Sequence, residues 1–301
     1  MEAACGCLRF DRDSPICGKS EVKYFTASDG LRIAFHDEGT GPALLCLAGL
    51  TRNSADFEAM SARLPEFRII RPDYRGRGRS DRDQNFHNYN PAIEAKDAVE
   101  LLDHLSLNSV PILGTSRGGI VAMVMAATKR DRLSGVILND IGPDLEIPGL
   151  DRIAEYLGRQ PASASLEETA RNTEANAIGF ANVPHERWIE ECRCRYTFED
   201  GRPRLNYDPR LRDAVLSSLT GDPADLWPHF DALDGIPVGL IRGANSDLLS
   251  VKTVEKMRLR RPDISYLEVP DRGHCPFLDE PECVDFIRRF LAQLGSSGKN
   301  R

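Results

Sequence analysis

The 301-residue sequence predicts an α/β fold, a largely parallel sheet with helices on both faces. Three observations predict it. Short apolar runs alternate with helical patterns over residues 43–138, and the alternation returns over 238–294. The runs are continuously apolar, as strands covered on both faces are. The stretch between, 144–228, is mostly helical in pattern and rich in arginine and glutamate, so it reads as a lid inserted into one domain.

The elements follow in order. Residues 1–20 have little periodicity and read as a flexible leader. Strand patterns at 21–26 and 31–38 flank Ser28-Asp29-Gly30, a hairpin turn. A buried strand at 43–47, a helical segment at 54–64 and a strand at 67–71 come next. Residues 91–105 are amphipathic, with Asn90 as cap and Pro91 in the first turn. A strand at 110–113, an apolar helix at 118–127 and a strand at 135–138 complete the first part of the core, 21–143. The second part, 229–294, holds a strand at 238–242, a helix at 251–259, a strand at 265–269 and a helix at 282–294. Residues 295–301 form a polar tail expected to be disordered.

Composition is that of a soluble globular protein, 41% hydrophobic and 28% charged. A net charge of -7 argues against nucleic acid and weakly against anionic membranes. No apolar run reaches the roughly 18 residues that span a bilayer, and residues 1–10 lack the pattern of a secretory signal. The eight cysteines include no Cys-x-x-Cys pair, and a core of this size needs no disulfides. The expectation is free thiols in a cytoplasmic protein.

Gly114-Thr115-Ser116-Arg117-Gly118 matches G-x-S-x-G, directly after a strand and directly before a helix. That context puts the serine on a sharp turn above the sheet edge, and the flanking glycines leave room for the turn. A serine hydroxyl needs a base. His274, in Asp271-Arg272-Gly273-His274, follows the last strand and so falls at the same carboxyl edge as Ser116. The other five histidines lie within strand or helix patterns, in the lid, or near the arginine-rich turn. The base needs an acid. Asp247, four residues after Gly243, is the first candidate; Asp140, at the end of the strand 135–138, is the alternative. The order Ser116, Asp247, His274 suits this arrangement. The N–H groups of Leu50 and Arg117 are the candidate oxyanion hole, Arg117 at a helix N-terminus.

These residues resemble the α/β-hydrolase family over about 21–294. Arg71-Pro72-Asp73-Tyr74-Arg75-Gly76-Arg77-Gly78-Arg79-Ser80 is similar to the family's D-x-R-G-x-G-x-S turn, and Gly273-His274-Cys275-Pro276-Phe277 with Glu280-Pro281 resembles its histidine loop. Two departures stand out. Ala48-Gly49 replaces the usual His-Gly, and the acid lies four residues after Gly243 where three is commoner. The resemblance implies eight mostly parallel strands, a helical lid between strands six and seven, and ester, lactone, carbon–carbon, epoxide or halide substrates. Epoxide hydrolases and dehalogenases of this family carry an aspartate where Ser116 stands.

Six arginines between residues 68 and 82 read as a solvated, ion-paired turn. The lid holds Arg193, Arg195, Arg202, Arg204, Arg210 and Arg212; one or two facing the cleft would favour a substrate bearing a carboxylate. Trp188, Tyr196 and Trp227 are candidate pocket residues. Gly76-Arg77-Gly78 lacks the third glycine of a dinucleotide fingerprint, and neither a Walker loop nor a metal-binding histidine cluster is present. No cofactor is expected, and the expected partner is a small-molecule substrate. The first reading is a serine hydrolase of a small carboxylic ester. A lactonase and a carbon–carbon bond hydrolase of ring-cleavage products are alternatives. A slow-turnover ligand receptor on the same fold is a reading from a different class.

Overall fold

The computed structural model describes residues 21–218 and 225–297. The leader 1–20 and residues 298–301 of the expected tail lie outside the described residues, while 295–297, expected in that tail, belong instead to the last helix. The chain opens with β1 (Lys23–Thr26) and β2 (Arg32–Glu38), an antiparallel pair whose turn uses Gly30 at φ 88°. There follow β3 (Ala43–Leu47), the short α1 (Glu58–Ser61), β4 (Arg68–Pro72), α2 (Pro91–His104), β5 (Val110–Thr115), α3 (Arg117–Thr128) and β6 (Leu133–Asn139). Between β6 and the next strand of the main sheet lie α4 (Ile147–Tyr156), α5 (Leu166–Ala175), α6 (His185–Arg195), β7 (Tyr196–Glu199), β8 (Arg202–Leu205), α7 (Leu211–Ser218) and α8 (Trp227–Asp231). The core resumes with β9 (Val238–Gly243), α9 (Val251–Arg260), β10 (Ser265–Val269) and α10 (Pro281–Ser297).

The main sheet has eight strands in the order β1-β2-β4-β3-β5-β6-β9-β10. Only the β1–β2 and β2–β4 pairings are antiparallel. β3, β5, β6 and β9 are almost wholly buried, which accounts for their largely apolar sequences. From β3 the chain goes to β4 on one side and then crosses to β5 on the other. The loops after β3 and β5 therefore diverge at the carboxyl edge and leave a crevice between them. The helix starts follow local chemistry. The Asn90 side chain accepts from the Ala92 and Ile93 N–H groups ahead of α2, and Pro91 occupies its first turn.

Among its described residues the segment 144–228 is mostly helical, as expected, and it also carries a hairpin of β7 and β8. Its turn is Asp200-Gly201, both at positive φ, a short-loop signal present in the sequence. The arginine-rich turn is ion-paired as expected, with Arg79 and Arg82 exposed, but it is not solvated throughout. Arg71, Arg75 and Arg77 are each 1% exposed. Arg75 is held by Asp97 at 2.6 and 2.7 Å, by Asp83 at 2.6 Å and by Asp29 at 2.9 Å. Asp73 accepts from the Ser54 and Arg79 N–H groups, both at 2.8 Å. A side chain on Gly78 would meet that carboxylate at 2.2 Å, so glycine is required there. The turn also carries the inserted segment: Gly78 N–H donates to Asn206 O, and Asp208 N–H to Gly76 O.

α3 lies close under β3 and β5. A Cβ on Gly118 would stand 2.0 Å from Leu47 O, and one on Gly114 2.5 Å from Gly118 backbone. Gly118→Ala should therefore lower stability by about 3 kcal/mol, because backbone must shift to admit the methyl. Urea denaturation midpoints of the two proteins check this; an unchanged midpoint would mean that α3 tolerates a wider spacing.

Candidate active site

Ser116 sits between the end of β5 and the start of α3 at φ 50°, ψ −114°, a conformation unfavourable for any residue with a Cβ. It is held there by its own N–H to Asn139 O at 2.9 Å and by the Gly119 N–H to Ser116 O at 2.9 Å. The hydroxyl thus stands on the carboxyl edge beside the crevice. Ser116 Oγ lies 2.9 Å from His274 Nε2, and His274 Nδ1 lies 2.7 Å from Asp140 Oδ2. His274 comes from the loop after β10, and Asp140 immediately follows β6.

The acid beside His274 is Asp140, and the first expectation, Asp247, is corrected. Asp140 is fully buried and, like Ser116, at positive φ, 55°. Its Oδ1 accepts from the Gly243 N–H at 2.8 Å, and its Oδ2 from the Ser246 hydroxyl at 2.7 Å as well as from His274. The loop after β9 therefore supplies donors to the acid. Asp247 turns away from it to meet Arg152 on α4 at 2.5 and 2.6 Å. In the neutral imidazole, an Nδ1–H given to Asp140 leaves Nε2 free to accept the Ser116 hydroxyl proton.

The loop after β3 approaches from the other side. A Cβ on Gly49 would stand 3.9 Å from Ser116 Cβ and 3.2 Å from Arg52 Cγ. Among the described residues, neither the Leu50 nor the Arg117 N–H donates to a protein acceptor. An anion bound at a helix N-terminus with two free backbone donors is favoured by the helix dipole and by hydrogen bonding alike.

The predicted pocket residues separate. Trp188 is 4% exposed and packs edge-on against Phe180 of the insertion and Phe277 of the His274 loop, so it fastens the insertion to that loop. Trp227 packs on Phe230 under the Arg260 guanidinium and donates to Asp144, away from Ser116's loop partners. Tyr196 is partly buried between the two apolar clusters of the insertion. Of the arginines, Arg193 and Arg202 face solvent and Arg204 pairs with Glu199. Arg210 binds Asp208 and the Asp83 and Gln84 carbonyls, and Arg212 caps carbonyls at the end of α4. Arg195 alone of these joins the charged cluster behind Gly49.

That cluster escaped sequence reading because it joins two local groups, Arg52–Asp56 and Arg187–Glu191–Arg195, that lie far apart in the chain. Arg52 spans Asp56 and Glu191, both at 2.5 Å. Glu191 also meets Arg187 at 2.8 Å and Arg195 at 3.7 Å. Burial pushes Glu191 up, but the three guanidiniums outweigh it and hold it down to about 2. Burial pushes Asp56 the other way, above its ordinary value, despite Arg52. Asp56 Oδ1 and Arg195 Nε are buried without a hydrogen-bond partner among the described residues. The half-exposed Tyr156 lies within reach of the charges of Arg195, Arg52 and Arg152, while burial raises its hydroxyl.

Comparison with known proteins agrees with this architecture. The model of a family described as the alpha/beta hydrolase family matches residues 44–285. The chain is 33% identical over 273 residues to a 3-hydroxybutyrate-oligomer hydrolase of Cupriavidus necator, covering 86% of this chain and 92% of that one. It is 30% identical to a 2-(acetamidomethylene)succinate hydrolase of Mesorhizobium japonicum, over 79% of this chain and 83% of that one. The crystal structure of an alpha/beta hydrolase from Novosphingobium aromaticivorans superposes with a TM-score of 0.84 at 35% identity, covering 91% and 98% of the two chains.

The two aspartates can be told apart. Asp140→Asn should slow phosphonylation of Ser116 by a fluorophosphonate by about four orders of magnitude, because the wrong imidazole tautomer then faces the hydroxyl. Asp247→Asn should change it by no more than about threefold, since only an ion pair to α4 is lost. The reverse ranking would return the acid's role to Asp247.

Proposed function

As the chain belongs to the alpha/beta hydrolase family, we propose that it is a serine hydrolase acting on a small carboxylic ester through an acyl-enzyme. The observation that carries the proposal is the continuous chain Ser116–His274–Asp140, with spacings of 2.9 and 2.7 Å, facing a crevice with two unengaged N–H groups.

The chemistry follows from those atoms. Ser116 Oγ attacks the ester carbonyl while its proton passes to His274 Nε2. The imidazolium so formed is stabilised by the buried Asp140 carboxylate through Nδ1–H. The carbonyl oxygen, now negative, is held by the Leu50 and Arg117 N–H groups. His274 returns its proton to the leaving alkoxide, and an alcohol departs. Water then attacks the acyl-enzyme carbonyl, giving its proton to the same nitrogen. Collapse of the second tetrahedral species frees the acid and restores the Ser116 hydroxyl. In this reading the inserted segment 144–228 is a lid that covers the crevice and selects the substrate.

The substrate class is an ester whose acid or alcohol portion carries a second, free carboxylate. Arg195 supports this: on the ion-pair cluster that abuts the Gly49 turn beside Ser116, its buried Nε has no hydrogen-bond partner among the described residues and its one ion pair there, to Glu191, is long at 3.7 Å, whereas Arg187, whose Nε is in the same state, is held by Glu191 and Asp279. The names of the two relatives point the same way, one acting on oligomers of a hydroxy acid and the other on a succinate.

Labelling by a fluorescent fluorophosphonate, read on a gel, tests the nucleophile: the wild type should label, and Ser116→Ala should neither label nor turn over p-nitrophenyl esters. A folded wild type that does not label would favour a binding module. The carboxylate preference is read separately. kcat/KM for p-nitrophenyl hemisuccinate should exceed that for p-nitrophenyl butyrate by about tenfold, one charge-assisted contact's worth. Arg195→Met should erase the difference, chiefly through KM. Equal values in the wild type would remove the substrate class and leave the nucleophile standing.

A further inference from the structure

Glu94 is fully buried on the core-facing side of α2, where a helix buries apolar residues. A lone buried carboxylate is costly, so its partners matter. Its Oε2 accepts from Arg117 Nε at 2.7 Å, and its Oε1 lies 2.8 Å from Arg77 Nη2. Burial raises its pKa, but the charges of Arg117 and Arg77 outweigh burial and bring it below its ordinary value. The carboxylate is therefore ionised between two guanidiniums.

Those two arginines lead to opposite walls of the crevice. Arg117 is the residue after Ser116, and its backbone N–H is one proposed oxyanion donor. Arg77 Nε donates to Leu50 O at 3.0 Å, and Leu50 supplies the other. The Arg77 guanidinium is fixed in turn by Nη1 to Arg75 O at 2.9 Å and lies over the rings of Tyr74 and Tyr89. Arg117 Nη2 donates to Tyr89 O at 3.2 Å. Arg52 N–H bonds Gly49 O at 3.1 Å, so Leu50 is held from both sides, by its turn and by Arg77. One carboxylate thus joins two segments that the fold brings together only at the carboxyl edge, from the loop after β3 and from the start of α3.

We propose that Glu94 is a positioning residue for the oxyanion hole: through Arg77 and Arg117 it sets the separation and direction of the Leu50 and Arg117 N–H groups. The proposal rests on the serine hydrolase reading and deepens it. Glu94 touches no reacting atom. Its effect falls on the tetrahedral species, whose oxyanion needs both donors at once, and not on the ester before attack.

The test compares wild type, Glu94→Gln and Arg77→Lys. Glutamine keeps the shape and loses the charge. Lysine keeps a charge facing Glu94 and cannot also reach the Leu50 carbonyl. Each is assayed for kcat and KM on a p-nitrophenyl ester, for affinity to a trifluoromethyl ketone that forms a tetrahedral adduct, and for melting temperature. Positioning predicts kcat lower by about 30-fold in both variants, KM within about twofold, and ketone affinity reduced in parallel with kcat. A purely structural role predicts a lower melting temperature with unchanged kcat per folded molecule, and that result overturns the proposal. If Glu94→Gln does not fold, Arg77→Lys decides, and wild-type kcat in that variant overturns the proposal. A folded wild type inert to both fluorophosphonate and ester would instead remove the hydrolase reading and the positioning role with it.

Discussion

The close passage of α3 beneath β3 and β5 is the constraint on which the crevice depends. Ser116 can stand at φ 50° only because the glycines on either side let the helix start against the sheet, with Gly118 where any side chain would strike the Leu47 carbonyl. The strain of that conformation is offset by backbone bonds from β6 and from the first turn of α3. The arrangement puts the Ser116 hydroxyl, a helix N-terminus and the β3 loop close to each other. A wider helix–sheet spacing would separate them.

Buried charge is the second theme. A desolvated guanidinium or carboxylate is tolerated where its partners are close and its hydrogen bonds are met. Arg75 meets three carboxylates, Glu94 two guanidiniums and Glu191 three. Each network ties a loop of the carboxyl edge to something distant: the turn after β4 to α2, the β3 loop to the start of α3, and the β3 loop to α6. Rigid placement of loops on a parallel sheet is what a catalytic crevice requires. Ionic contacts contribute to it here, beside the apolar cluster that includes Tyr89 and takes in Leu50. Arg195 and Arg187 each keep a buried Nε without a hydrogen-bond partner among the described residues, but Arg187 is held by both Glu191 and Asp279 whereas Arg195 meets Glu191 only at 3.7 Å, which is why the proposal gives the substrate contact to Arg195.

Much of the core was legible in the sequence because parallel strands buried on both faces write themselves as apolar runs. β3 and β10 carry the predicted bounds, and β2, α2 and α9 differ by one residue. The G-x-S-x-G and Gly-His pairings lie at strand ends, so their meeting followed from the parallel order. The β7–β8 hairpin was legible too, in Asp200-Gly201, but was masked by helical composition on either side. Glu94 left a signal of its own, a charge at a core position of an amphipathic helix.

Sequence alone determined the α/β class, the elbow at Ser116 and the loop that carries His274, since each is set by local pattern and strand order. Tertiary structure decided which aspartate meets His274. Asp140 and Asp247 both follow strands that end at the same edge, and the choice depends on where the turn after Gly243 points its side chains. There Ser246 is directed inward and Asp247 outward to Arg152. The same holds for the Arg52–Glu191–Arg195 and Arg77–Glu94–Arg117 networks. Glu191 and Arg195 are one helical turn apart on α6, but the links from Arg52 to Glu191 and from Glu94 to Arg77 and Arg117 join separate elements, and no periodicity or spacing encodes a contact that only the packed chain creates.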